Sequence, residues 1–167
     1  FATEYTEGAI SKKIADTSES KDKLVYIGLA DKPLTPEQVA ALNGNMALVD
    51  RGGNPFGEKM KLAEAAGAKG VVVVNNQDGP LILMGSDDPN MKVGIPSVMV
   101  SKTVGDTIKK ELAKSSDVFV QLKTKVKVEK ANLIDTLAAF SSRGPRSEDS
   151  LIKPEVTAPG QQIISAA

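Results

Sequence analysis

The 167-residue chain contains no histidine, no cysteine and no tryptophan. Without imidazole or thiol it cannot assemble a Ser/His/Asp or Cys/His nucleophilic site, and the usual zinc and copper ligands are missing. What remains is carboxylate, lysine and hydroxyl chemistry. Neither charge is in excess, because 21 Lys and Arg balance 21 Asp and Glu. The concentrated positive surface that binds nucleic-acid phosphates is therefore not expected. No run of the sequence approaches the ~18 apolar residues needed to span a bilayer. A lack of cysteine suits an extracellular bacterial protein, and equally many cytosolic ones.

Hydrophobic residues make up 41% of the chain and charged residues 25%, an ordinary balance for one globular domain with a substantial core. Leu24 to Leu29 is a short apolar run. Thr35-Pro36-Glu37-Gln38 follows, in which Thr35 caps the free amides, Pro36 takes the first helical position and Gln38 reaches back. This predicts a helix to Leu42, ended by Gly44, then a buried strand from Met46 to Val49. Asn54 is the expected N-cap of a second helix carrying Phe56, Met60 and Ala63, stopped by Gly67. Val71-Val72-Val73-Val74 reads as a central strand covered on both faces. A short apolar segment, Leu81 to Met84, and a polar loop, 85–90, lead to a strand from Ile95 to Val100. Ser101 then caps a helix with Val104, Ile108 and Leu112 four residues apart, and Val118, Val120 and Leu122 alternate as a half-buried strand continuing through Val126 and Val128. The pattern defines a mixed α/β domain, with antiparallel strands where no crossover helix intervenes, around Leu81 and from Val118 to Val128.

Three motifs invite chemistry. Gly52 and Gly57 have the spacing of a phosphate-binding loop, but Glu58 stands where the lysine belongs and Met60 offers no hydroxyl to magnesium. Plain strand-to-helix turn chemistry explains the glycines. Asp78, Asp87 and Asp88 supply the oxygen ligands calcium uses, without the alternating spacing and terminal Glu of an EF-hand. Calcium stays open as a ligand, and no cofactor or other metal is expected. Ser141 and Ser142 lack any histidine to activate them. Phe56 and Met84 flank the Gly-rich and Asp-rich loops, either as an apolar floor for a peptide or as ordinary core.

Several ordered blocks carry a family resemblance. Asn45-Met46-Ala47-Leu48-Val49-Asp50-Arg51-Gly52-Gly53, Phe56-Gly57-Glu58-Lys59, Ala65-Ala66-Gly67-Ala68-Lys69-Gly70-Val71-Val72-Val73-Val74-Asn75-Asn76 and Ile95-Pro96-Ser97-Val98-Met99-Val100-Ser101 resemble a protease-associated (PA) domain over residues 20–122. Many members carry a cysteine after the paired glycines, where this chain has Asn54. Thr136-Leu137-Ala138-Ala139-Phe140-Ser141-Ser142-Arg143-Gly144-Pro145 and Lys153-Pro154-Glu155-Val156-Thr157-Ala158-Pro159-Gly160 resemble the subtilisin-like serine protease (subtilase) segment upstream of the nucleophile. The two resemblances imply a PA domain at 1–130, including the strand leading into it, and a piece of catalytic domain at 131–167. They also imply a swivelling β/β/α fold with a β-rich body and about three helices.

No catalytic residue of such a protease maps onto this chain. The resemblance implies a secreted or cell-wall-associated endopeptidase of a Gram-positive bacterium, whose PA domain binds polypeptide substrate or gates its access. The chain starts at Phe1 and stops in the apolar stretch Ile163-Ile164-Ser165-Ala166-Ala167, so it is expected to be a piece of a longer protein. Loops 50–56 and 77–92 form the expected rim, with Asn54, Phe56, Met84, Asp87 and Pro89 as candidate substrate contacts. The expected partners are polypeptide substrate and the parent catalytic domain, with no nucleic acid and no membrane span. A structural or oligomerisation module that never touches substrate is the alternative. The apolar tail, 131–167, is expected to pair with an edge of its own sheet or to swap onto a second copy.

Overall fold

A computed structural model describes residues 1–123. The strands are β1 (Thr6–Glu7), β2 (Ser11–Lys12), β3 (Lys21–Tyr26), β4 (Met46–Asp50), β5 (Gly70–Val74), β6 (Val93–Val100) and β7 (Phe119–Gln121). The helices are α1 (Pro36–Leu42), α2 (Phe56–Ala65) and α3 (Lys102–Lys114). The sheet order is β1-β6-β5-β4-β3-β7, with β2 pairing to β6 off that path. β3 to β6 run parallel, whereas β1 and β7 close the two ends antiparallel.

Side chains alternate across a strand, and this assigns the core to two faces. Ala47, Val49, Val71, Val73 and Met99 point to the face covered by Met60 and Ala63 of α2 and Leu42 of α1. Leu48, Val72, Val74, Val98 and Val100 point to the other face, against Val104, Ile108 and Leu112 of α3. All five residues of β5 are buried, because a parallel strand with helices on both sides has no wet face. This is the expected mixed α/β architecture, with Val71 to Val74 inside the sheet.

Local chemistry sets the helix ends. Thr35 Oγ1 accepts from Gln38 N at 3.3 Å while Gln38 Oε1 accepts from Thr35 N at 3.0 Å, the reciprocal box expected from the sequence. Ser101 Oγ accepts from Val104 N at 3.3 Å and starts α3. Gly67 takes φ +80° after α2, a conformation that L side chains avoid. α3 approaches β5 closely at Gly105, where an added Cβ would lie 2.6 Å from Val74 Cγ2 and 2.8 Å from Val74 Cβ.

Three details differ from the sequence reading. α2 begins one residue later than expected, because Pro55 holds extended ψ (151°) and so occupies the cap itself, without a side-chain hydrogen bond; Asn54 is not the N-cap. The apolar segment 81–84 forms no strand among the described residues; it enters the core irregularly, and Met84 O accepts from Ala9 N at 3.0 Å. Before residue 20 the sequence reading had only a strand leading into the domain, without bounds, where the structure has the two short strands β1 and β2. The continuation of the last strand through Val126 and Val128, and the pairing or swapping of the tail, lie outside the described residues.

Candidate functional site

The parallel strands deliver their C-terminal ends to one edge, the usual place for function in an open α/β sheet. Tyr26 ends β3 and Asp50 ends β4. Parallel register sets Tyr26 opposite Leu48, two residues before Asp50, so the two side chains share a face, and the Tyr26 hydroxyl donates to Asp50 Oδ2 at 2.5 Å. Lys109 reaches across from α3 to Asp50 Oδ1 at 3.2 Å, to Asp106 Oδ1 at 3.3 Å, and lies 5.9 Å from the centre of the Tyr26 ring. Burial pushes the Tyr26 hydroxyl pKa up, and the Asp50 carboxylate adds to that. Burial pulls the Lys109 ammonium down, yet Asp50 and Asp106 outweigh it and leave Lys109 raised. The cluster is thus a charged latch fastening α3 to the sheet.

The neighbouring strand ends are tied as well. Arg51 Nη1 donates to Asn75 Oδ1 at 2.8 Å, and Asn75 N donates to Val100 O at 3.0 Å. Lys59 is fully buried on α2, and its ammonium donates to Leu29 O. Burial lowers its pKa, against the opposing charges of Asp31 and Asp50. That lysine shares a helical face with Phe56 and Ala63, so a charge inside an apolar stripe was visible in the sequence.

The candidate residues do not form one constellation. Met84 is 0% exposed and belongs to the core beneath α2, with Phe56 packed against the same cluster. Met84 is therefore a core residue and offers no substrate contact, because the irregular 81–84 segment turns it inward. Asn54 and Phe56 are half-buried, whereas Asp87 and Pro89 are exposed. Asp88 Oδ1 accepts from Asn90 N at 2.8 Å, and Ser86 Oγ from Asp88 N at 3.1 Å, so this loop is held by its own turn hydrogen bonds. Among the described residues, no group of three acidic side chains is gathered that could hold a metal.

Sequence reasoning missed the flank beside Tyr26. An open groove of about 550 Å³ runs between β3 and α3, lined by Val25, Tyr26, Lys109, Leu112, Ala113 and Ala41 of α1 among others. β7 covers only part of the adjoining strand edge. Its register with β3 stops at Lys23 opposite Phe119, and the last bond is Leu24 N to Val118 O at 2.8 Å.

Helices on both faces of a mostly parallel sheet make a three-layer α/β domain. The PA domain family matches residues 12–108, and the chain belongs to that family. It is 36% identical over 124 residues to the minor extracellular protease Vpr of Bacillus subtilis, covering 74% of this chain and 14% of that protein. It is 34% identical over 167 residues to the PI-type proteinase of Lactococcus lactis subsp. cremoris, covering 98% of this chain and 8% of that protein. The C5a peptidase of Streptococcus pyogenes serotype M1 matches at 30% over 139 residues, 82% of this chain and 11% of that protein. Among solved structures, the aminopeptidase from Aneurinibacillus sp. strain AM-1 superposes with a TM-score of 0.57 at 31% identity, over 72% of this chain and 27% of that one. The chain thus spans a small part of each relative's length.

Proposed function

We propose that this chain is the non-catalytic PA module of a secreted subtilisin-like serine endopeptidase, where it binds polypeptide substrate and gates its access to the active site. The observation that carries the reading is the recurrence of this segment, at 30–36% identity, inside three bacterial proteases. The motifs from Thr136 to Pro145 and from Lys153 to Gly160 support a subtilisin-like parent, with 131–167 belonging to its catalytic domain. The Bacillus relative is an extracellular protease, which supports an extracellular or cell-wall location, and the bacteria that carry these relatives support a Gram-positive parent. Peptide-bond hydrolysis is the work of residues outside this sequence, which has no histidine.

The module's part is selection by contact. A rigid sheet carries loops 50–56 and 77–92, and exposed main-chain groups beside apolar walls suit an extended chain. Fluorescence anisotropy of labelled, reduced and carboxymethylated α-lactalbumin, an unfolded polypeptide, tests this with the full 167-residue chain. A saturable rise is expected. A flat signal up to millimolar protein, with the circular dichroism of a folded chain, overturns the reading.

A further inference from the structure

We propose that the open edge of β3 at Tyr26, together with the groove beside it, is the docking site for a short extended peptide that adds to the sheet as a strand. The inference rests on the polypeptide-binding reading above and gives it a place, away from the loops singled out by sequence.

Main-chain geometry identifies the occupant. Successive amides in a strand point to opposite sides. Leu24 N donates outward to Val118 O at 2.8 Å, and Ile27 N donates inward to Leu48 O at 3.0 Å. Tyr26 therefore directs both its N–H and its C=O outward, past the point where β7 ends. Among the described residues neither group has a strand partner on that side. A donor and an acceptor on one residue, spaced as in a ladder, are satisfied together by another backbone and poorly by a small molecule.

The walls specify the rest. Val25, Leu112, Ala113 and Ala41 make the groove mainly apolar. Its two lysines are already neutralised, Lys23 by Asp117 at 3.2 Å and Lys109 by Asp50 at 3.2 Å. The fitting peptide thus carries an apolar side chain beside its paired residue and needs no charge. Tyr26 and Phe119, 43% and 50% exposed, flank the edge as aromatic surface. Size argues against a stable pair of chains. One open residue pair and nine lining residues fall far short of the ~20–30 residues per side of a standard protein interface. A weak, exchangeable peptide contact matches that scale, and edge addition gives it direction without strict sequence demand.

The test is amide NMR and hydrogen exchange on the labelled full chain, titrated with a heptapeptide of alternating valine and threonine and with carboxymethylated α-lactalbumin. The expected result is shift changes at residues 24–27, 41 and 109–116, with exchange at the Tyr26 amide slowed by peptide. Ala113→Trp, which fills the groove from an exposed helix position, is expected to weaken binding at least tenfold. Tyr26→Pro, which deletes the outward N–H, is expected to do the same. Binding that maps to loops 50–56 and 77–92 and ignores Ala113→Trp overturns this inference and leaves the polypeptide-binding reading standing. No binding anywhere overturns both. A Tyr26 amide already protected in the free chain, or mass that rises with concentration through this edge, also overturns it, because the edge is then occupied by the chain itself.

Discussion

Replacing Gly105 by alanine sets two opposed effects against each other at the point where α3 meets β5. In an exposed helix the change is favourable by ~1 kcal/mol, because alanine loses less backbone freedom. Here the new methyl would stand 2.6 Å from Val74 Cγ2 and 2.8 Å from Val74 Cβ, nearer still to Cγ1. Val74 is 2% exposed and β-branched, so its methyls cannot swing away without entering the neighbouring core. Overpacking of this kind costs ~1–3 kcal/mol. The approach is tight enough to take the upper end of that range, so the net expectation is a loss of ~2 kcal/mol after the helical gain. Urea denaturation followed by far-UV circular dichroism measures it without tryptophan. Adding Val74→Ala makes room for the methyl, so the double variant should be more stable than the sum of the two single changes predicts, by ~1 kcal/mol or more. A Gly105→Ala chain as stable as the native one, or more so, would refute the reasoning, because α3 would then not rest on β5 as described. The groove and the Lys109 latch both depend on that seating.

Other perturbations probe separate parts of the fold. Lys59→Met removes a buried ammonium whose folded pKa is lowered by burial. Between that lowered value and the ordinary one the unfolded chain binds the extra proton, so native stability gains on the variant as pH rises through the window; parallel stability curves in alkali would contradict this. Asp22 is held by Lys69 at 2.6 Å and by Ser20; burial raises its pKa, but these hydrogen bonds outweigh that and leave it lowered. Its contribution is present above the unfolded carboxylate pKa and is lost as pH falls through the folded one, so Asp22→Asn should flatten the acid limb of a stability-against-pH curve. Thr35→Ala removes the hydroxyl that accepts from Gln38 N, while the Thr35 backbone amide can still donate to Gln38 Oε1, and should cost ~1 kcal/mol in urea titration; no change would mean that the side-chain cap does not hold α1.

Much of the architecture was legible because local and tertiary preferences agree. Thr35-Pro36 and Ser101 are strong cap signals directly before amphipathic segments, and four consecutive valines between Gly70 and Asn75 favour a strand covered on both faces. Met84 was misread because a polar loop beside an apolar residue looks the same whether the chain turns that residue inward or outward. Pro55 displaced the helix start by one residue because its ψ, which the ring does not fix, went extended. The Tyr26 edge left no trace in sequence, since periodicity tells which face of a strand is buried and nothing about which neighbour it lacks. Strand order and the length of β7 decide that. Lys59 was different: its place on the apolar stripe of α2 was readable, but the carbonyl that receives it, Leu29 O, comes from a loop thirty residues away.

Hydrogen exchange at Leu24 and Tyr26 of β3 and at Ile27 just beyond it, in the free 167-residue chain, tests the account most directly. Leu24 and Ile27 donate to Val118 and Leu48 and should exchange slowly, whereas the Tyr26 amide should exchange at least tenfold faster than either. Equal protection across all three would contradict the open edge, and with it the strand-addition site.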